Sequence, residues 1–108
     1  MACGVCKLGL VLPEPLHRAM VALAARSATG RGALQTIYAG AFQALLADLD
    51  GGRAVPFAAV RGAKIRVTLR LPRGLCAAIR ARLAALTLKL TDFACAAVSR
   101  FLAQAEGA

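Results

Sequence analysis

Along one short segment, residues 64–71, polar and apolar residues alternate without a break. Alternation with a period of two is typical of a strand that buries one face, because successive side chains point to opposite sides. We expect Pro72 to end this strand. Its inner face holds Ile65, Val67, Leu69 and Leu71, and its outer face holds Lys64, Arg66, Thr68 and Arg70.

Two stretches with helical spacing follow this strand. The first has apolar residues every three or four positions, which predicts a helix with one apolar stripe; these are Leu75, Ile79, Leu83 and Leu86. Thr91 is expected to cap the second helix, with Asp92 in its first turn. The buried face of that helix holds Phe93, Ala97, Val98, Phe101 and Leu102.

The same order of elements occurs earlier in the chain, and an offset of 59 residues aligns the two copies without a gap, with Pro13 on Pro72. A turn is expected over residues 27–32, and a Gly-rich linker over residues 50–62. Phe57 and Val60 of the linker are candidates to dock on the core. The first copy is marked by Leu8, Leu10, Leu12, Leu16, Met20, Leu23, Leu34, Tyr38, Ala41, Phe42 and Leu45.

We therefore expect residues 1–108 to form a single compact domain from two repeats. The first unit covers residues 5–48, a linker covers 49–63, and the second unit covers 64–104. A lone strand with two helices leaves strand edges open and apolar faces uncovered, so each unit needs a partner. The other copy can supply it, which predicts a mainly α fold with a two-stranded antiparallel β-ribbon.

The charge of the chain points to a polyanionic partner. Fourteen Lys and Arg residues against five Asp and Glu give a net charge of +9, so nucleic acid is the leading candidate. The apolar runs are too short for a membrane span, and the N-terminal segment does not resemble a signal peptide. We expect a cytoplasmic protein with no membrane partner.

The remaining chemistry-bearing residues suggest neither catalysis nor a metal site. Cys3 and Cys6 have the spacing of half a zinc site, but Cys76 and Cys95 offer no matching pair. We expect reduced thiols, since a cytoplasmic chain with a substantial core does not need disulfides. His17 is the only histidine and has no nucleophile at a motif spacing. No enzymatic activity, metal or cofactor is therefore expected.

The second copy carries a family resemblance. A strand ending in Leu71-Pro72, a helix with Leu75 and Ile79, and a helix that opens with the residues Leu-Thr-Asp-Phe at 90–93 resemble the ribbon-helix-helix family of bacterial and plasmid DNA-binding proteins. Most members have one unit and dimerise, whereas this chain is similar to the rarer fused kind found among plasmid transfer proteins. The resemblance implies a tandem ribbon-helix-helix pseudo-dimer within one chain.

A two-stranded ribbon can enter the major groove of double-stranded DNA and contact base edges with its outer face. We expect base contacts from Lys64, Arg66, Thr68, Arg70 and Lys7. Phosphate contacts are expected at the start of each second helix, where backbone N–H groups are exposed; these involve Lys89, Thr91, Arg31 and Gly32. In a competing interpretation, the basic strand face is only a solvated edge.

The aligned outer face of the first strand keeps one cation, since its residues are Val5, Lys7, Gly9 and Val11. The protein should therefore prefer an asymmetric DNA site over a palindrome.

The predicted function is sequence-specific binding of double-stranded DNA, as a transcriptional repressor or as a plasmid transfer or partition accessory factor located at the nucleoid. Further self-association on DNA and plasmid-processing or partition proteins as partners are compatible with this role. The alternative is a nonspecific architectural or protein-interaction helical module without base readout.

Overall fold

The computed structural model describes residues 4–26, 32–53, 55, 57 and 62–107. This part of the chain is mainly helical, with a two-stranded antiparallel sheet and four helices. The elements in chain order are β1 (Val5–Pro13), α1 (Glu14–Arg26), α2 (Ala33–Asp50), β2 (Lys64–Pro72), α3 (Arg73–Leu86) and α4 (Leu90–Gly107).

Strands β1 and β2 pair with each other in antiparallel register, and Gly9 lies opposite Thr68. These two residues are also aligned by the offset of 59 residues, as are the first and last residues of the strands. The predicted inner faces are confirmed, because alternate residues of both strands are buried. The buried residues on these inner faces are Leu8, Leu10, Leu12, Val67, Leu69 and Leu71.

Helices α2 and α4 pack against each other and against the inner face of the ribbon. The rings of Phe42 and Phe93 stack there, with centroids 6.0 Å apart and planes 10° apart. The ring of Phe57 also stacks on Phe93, with centroids 6.3 Å apart. Its predicted docking is therefore confirmed, whereas Val60 lies outside the described residues.

Tyr38 of α2 is fully buried, and its hydroxyl group is hydrogen-bonded to Nδ1 of His17 at 2.7 Å. A buried hydroxyl without a partner would cost free energy, so this contact compensates for burial. Burial also raises the pKa of Tyr38 to about 12, which keeps the phenol neutral. His17 thus holds α1 against α2 and has a structural partner.

Two expectations about helix positions are wrong. Helix α4 begins at Leu90, so Thr91 lies in the first turn and does not cap the helix. Leu86, which was predicted to belong to the apolar stripe of α3, is 42% exposed. It is the last residue of α3 and lies beyond the part of the helix that packs on the core.

The expectation of reduced thiols is wrong for two cysteines. Cys6 of β1 and Cys76 of α3 form a disulfide, with their Cα atoms 6.7 Å apart. Cys76 is only 2% exposed, since the first turns of α3 pack beneath the ribbon. This packing brings together two sulfurs that are 70 residues apart in the chain. Cys95 is a free cysteine, and Cys3 lies outside the described residues.

We predict that Cys6→Ser lowers the free energy of unfolding of the oxidised protein by about 2–4 kcal/mol, because the crosslink restricts the unfolded chain. Urea denaturation with and without a reductant measures the change. Reductant should destabilise the wild type and leave the variant unchanged. The control is Cys95→Ser, which removes a thiol that is not crosslinked. Equal stability of the wild type and Cys6→Ser under oxidising conditions would contradict the prediction.

Candidate nucleic-acid interface

The outer face of the ribbon is a row of five cross-strand pairs that points away from the helices. The strands alternate between exposed and buried residues, so all the strand residues predicted to contact bases lie on this outer row and are exposed. From one end to the other, the pairs are Val5 with Pro72, Lys7 with Arg70, Gly9 with Thr68, Val11 with Arg66, and Pro13 with Lys64.

The cations of the outer row have no acidic partners among the described residues. Lys7 and Arg70 lie directly opposite each other, which places two positive charges on neighbouring side chains. Like charges in such a pair destabilise a ribbon in water. Within the described part of the chain, the Nζ of Lys64 donates a hydrogen bond to the backbone oxygen of Gly62, at 3.4 Å. The row is therefore a concentrated positive surface that an external anion can neutralise.

Three acidic residues of the described part of the chain, Glu14, Asp48 and Asp50, pair with other arginines. Asp48, near the end of α2, accepts hydrogen bonds from Arg100 at 2.5 Å and Arg53 at 3.1 Å. The Arg100 hydrogen bond, with help from Arg53, lowers the pKa of Asp48 below its ordinary value. Two further ion pairs join Glu14 to Arg18 and Asp50 to Arg82. None of these arginines belongs to the ribbon.

A cleft of about 330 Å³ separates one half of the outer row from the start of α4. Lys89, Leu90 and Thr91 form its helix side, so two of the residues expected to contact phosphate border this cleft. The turn before α4 positions Lys89, since Thr87 adopts a left-handed conformation with a φ of 51°. The ribbon side of the cleft consists of Gly9, Leu10, Val11, Arg66 and Thr68.

A second cleft, of about 290 Å³, separates the other half of the row from the start of α2. Gly32 caps this helix with a φ of 86° and offers no side-chain hydrogen bond to its first turn. Backbone N–H groups there remain available to an anion. Gly32 is exposed, and Arg31, the other residue expected to contact phosphate here, lies outside the described residues.

Gln35 connects α2 to the ribbon, although no pattern in the sequence indicates this contact. Its Oε1 accepts a hydrogen bond from the backbone N–H of Arg70 at 2.6 Å. The aligned residue of the second copy is Ala94, which has no acceptor on its side chain. No motif marks Gln35, since the contact depends on the packing of α2 beside the open edge of β2.

The described residues contain no cluster of three or more His, Cys, Asp or Glu side chains that could hold a metal ion. Within the same part of the chain, no helix is both long enough and apolar enough to cross a membrane.

Comparison with known proteins identifies no relative. No protein-family model matches the chain, and neither a curated protein nor a solved structure matches it. The chemistry of the interface therefore rests on its own geometry: a narrow two-stranded ribbon with exposed cations and a helix N-terminus on each side.

We predict that Lys89→Ala weakens binding to all double-stranded DNA sequences alike. A lysine beside a helix start contributes charge to a phosphate contact, and such contacts carry no sequence information. The slope of log K against log salt should become shallower by about 1. Fluorescence anisotropy over a salt series measures it, with Arg26→Ala on α1 as the control for a lost exposed charge. A change in sequence preference with an unchanged slope would contradict the assignment.

Proposed function

We propose that this protein binds double-stranded DNA by inserting the β1–β2 ribbon into the major groove. The outer row contacts base edges, and the starts of α2 and α4 contact phosphates on either side. Arg and Lys side chains can donate hydrogen bonds to guanine O6 and N7. The hydroxyl group of Thr68 can donate a hydrogen bond to a base or accept one from it, and its methyl group can contact a thymine methyl group. Repression of transcription and a plasmid transfer or partition role both fit this chemistry.

One observation supports it above all: the cations of the outer row, which have no acidic partner among the residues that the structure describes, face solvent together, including the directly opposed Lys7 and Arg70. Repulsion between these two cations destabilises the isolated protein. It therefore indicates a ligand whose negative charge relieves the repulsion. If the basic strand face were only a solvated edge, charges of both signs would be expected, because mixed charges also discourage aggregation. DNA supplies closely spaced negative charges at the scale of the ribbon.

We further propose that the chain is a tandem ribbon-helix-helix pseudo-dimer in which one molecule supplies both strands. The support is the offset of 59 residues, which relates the strand bounds and also relates Gly9 to its cross-strand partner Thr68. A pseudo-twofold axis through this pair would exchange β1 with β2, and α2 with α4. Each cleft beside the ribbon then has its counterpart at the other helix start.

We predict that the Arg66→Ala/Arg70→Ala double variant loses preference for its target site and keeps much of its nonspecific binding. Each good base contact contributes about 1–3 kcal/mol of discrimination between bases. The target is first selected from a random duplex library, and anisotropy then compares it with a scrambled duplex across a salt series.

The matched control is Arg26→Ala/Arg80→Ala, which removes the same charge from exposed positions on α1 and α3. It should weaken both duplexes slightly and preserve the preference between them. If the ribbon variant discriminates between the duplexes as well as the wild type does, the ribbon does not read bases. If the wild type selects no sequence, the alternative of a nonspecific architectural module is favoured.

A further inference from the structure

The strand register shows that the asymmetry lies between the two ends of the ribbon. Because β1 and β2 are antiparallel, each end combines the beginning of one strand with the end of the other. One end presents Lys7 opposite Arg70, and the other presents Val11 opposite Arg66. The offset of 59 residues aligns Lys7 with Arg66, and Val11 with Arg70. The offset therefore aligns one cation with another at Lys7 and Arg66. At Val11 and Arg70 it aligns an apolar side chain with a cation.

We infer that Val11 is a specificity-determining residue that contacts a thymine methyl group, so the two halves of the DNA site differ in a defined way. This inference rests on the proposed function. The half bound by Lys7 and Arg70 presents guanines to two cations. The half bound by Arg66 and Val11 presents a guanine beside a thymine, since apolar side chains favour the thymine C5-methyl in the major groove.

The environment of Val11 supports this role. The side chain belongs to the outer row, is only partly buried, and borders the cleft beside α4 together with Arg66 and Thr91. A phosphate held at Thr91 would bring the neighbouring bases toward this end of the ribbon. At the opposite end, the corresponding cleft is bordered by Arg70, Thr36 and Gln43. The two ends therefore differ in the residues beside the strands as well as on them.

The spacing places the two ends on different base pairs. Val11 and Lys7 lie four residues apart on β1, which corresponds to about 13 Å along an extended strand. At the centre of the outer row, Gly9 lies opposite Thr68 and has no side chain, which leaves space on the β1 side. Nothing lies within 4 Å of a Cβ built on Gly9, so the centre of the outer row is open on that side.

The first test removes only the methyl group. After selection of the target site, each thymine is replaced in turn by uracil, and binding is measured by anisotropy. The wild type should bind one uracil duplex about fourfold more weakly, the effect of one buried methyl group. Val11→Ala should bind that duplex and its thymine parent with equal affinity. Equal binding of both by the wild type would overturn the inference.

The second test exchanges the chemistry of the two ends. Two duplexes are compared, one with thymine and one with guanine at the position assigned to Val11. Val11→Arg should prefer the guanine duplex and change the ratio of the two affinities about tenfold. The aligned Arg70 already occupies an equivalent exposed position, so arginine is expected to fit. Arg70→Val is the reciprocal variant and should create a thymine preference in the other half. It replaces an exposed side chain and leaves the backbone bond to Gln35 in place.

Val21→Arg is the matched control, since it adds the same charge to a valine of α1 that is 44% exposed. It should strengthen binding to both duplexes alike and leave their ratio unchanged. A selected wild-type site that is palindromic, or an affinity ratio that Val11→Arg does not change, would overturn the inference and leave the proposed function standing. Failure of the wild type to select any sequence would overturn the proposed function itself.

Discussion

The pairing of β1 with β2 determines both the core and the charged surface of this protein. Side chains alternate across a strand, so a slip of one residue would turn every inner leucine outward and every cation inward. Burial of six apolar residues beneath the ribbon makes one register strongly preferred. The same register places Lys7 opposite Arg70 and leaves that pair in solvent. The stability of the core thus maintains an arrangement of charges that would be unfavourable by itself.

The two halves share a backbone plan and differ in the side chains that complete it. Where the first unit has the hydrogen-bonded pair of His17 and Tyr38, the aligned positions of the second unit are Cys76 and Ala97. Cys76 is instead joined to Cys6, across the two units. Different contacts therefore stabilise α1 and α3 beneath one ribbon. The difference between the ends of the outer row continues a difference that is already present in the core.

Local patterns predicted the strands, the faces of the ribbon and the presence of the helices, but not the residue at which α4 begins or the exposure of Leu86 at the end of α3. Alternation over residues 64–71 separates inner from outer side chains, and Pro72 marks the end of the strand. Contacts that depend on how helices pack could not be predicted in this way. The disulfide joins residues 70 positions apart, and Gln35 meets a backbone N–H on another element. The pairing of Val11 with Arg66 likewise required the register, since neither residue indicates its partner.

We propose that the outer row of the ribbon occupies the major groove of DNA. Methylation interference tests it directly, because dimethyl sulfate modifies guanine N7, which lies in that groove and is a preferred partner of arginine. Methylation of guanine N7 within the selected site should prevent binding, with interfering guanines on both sides of the site centre. Binding that tolerates N7 methylation throughout the site, and that is displaced by a ligand of the minor groove, would contradict it.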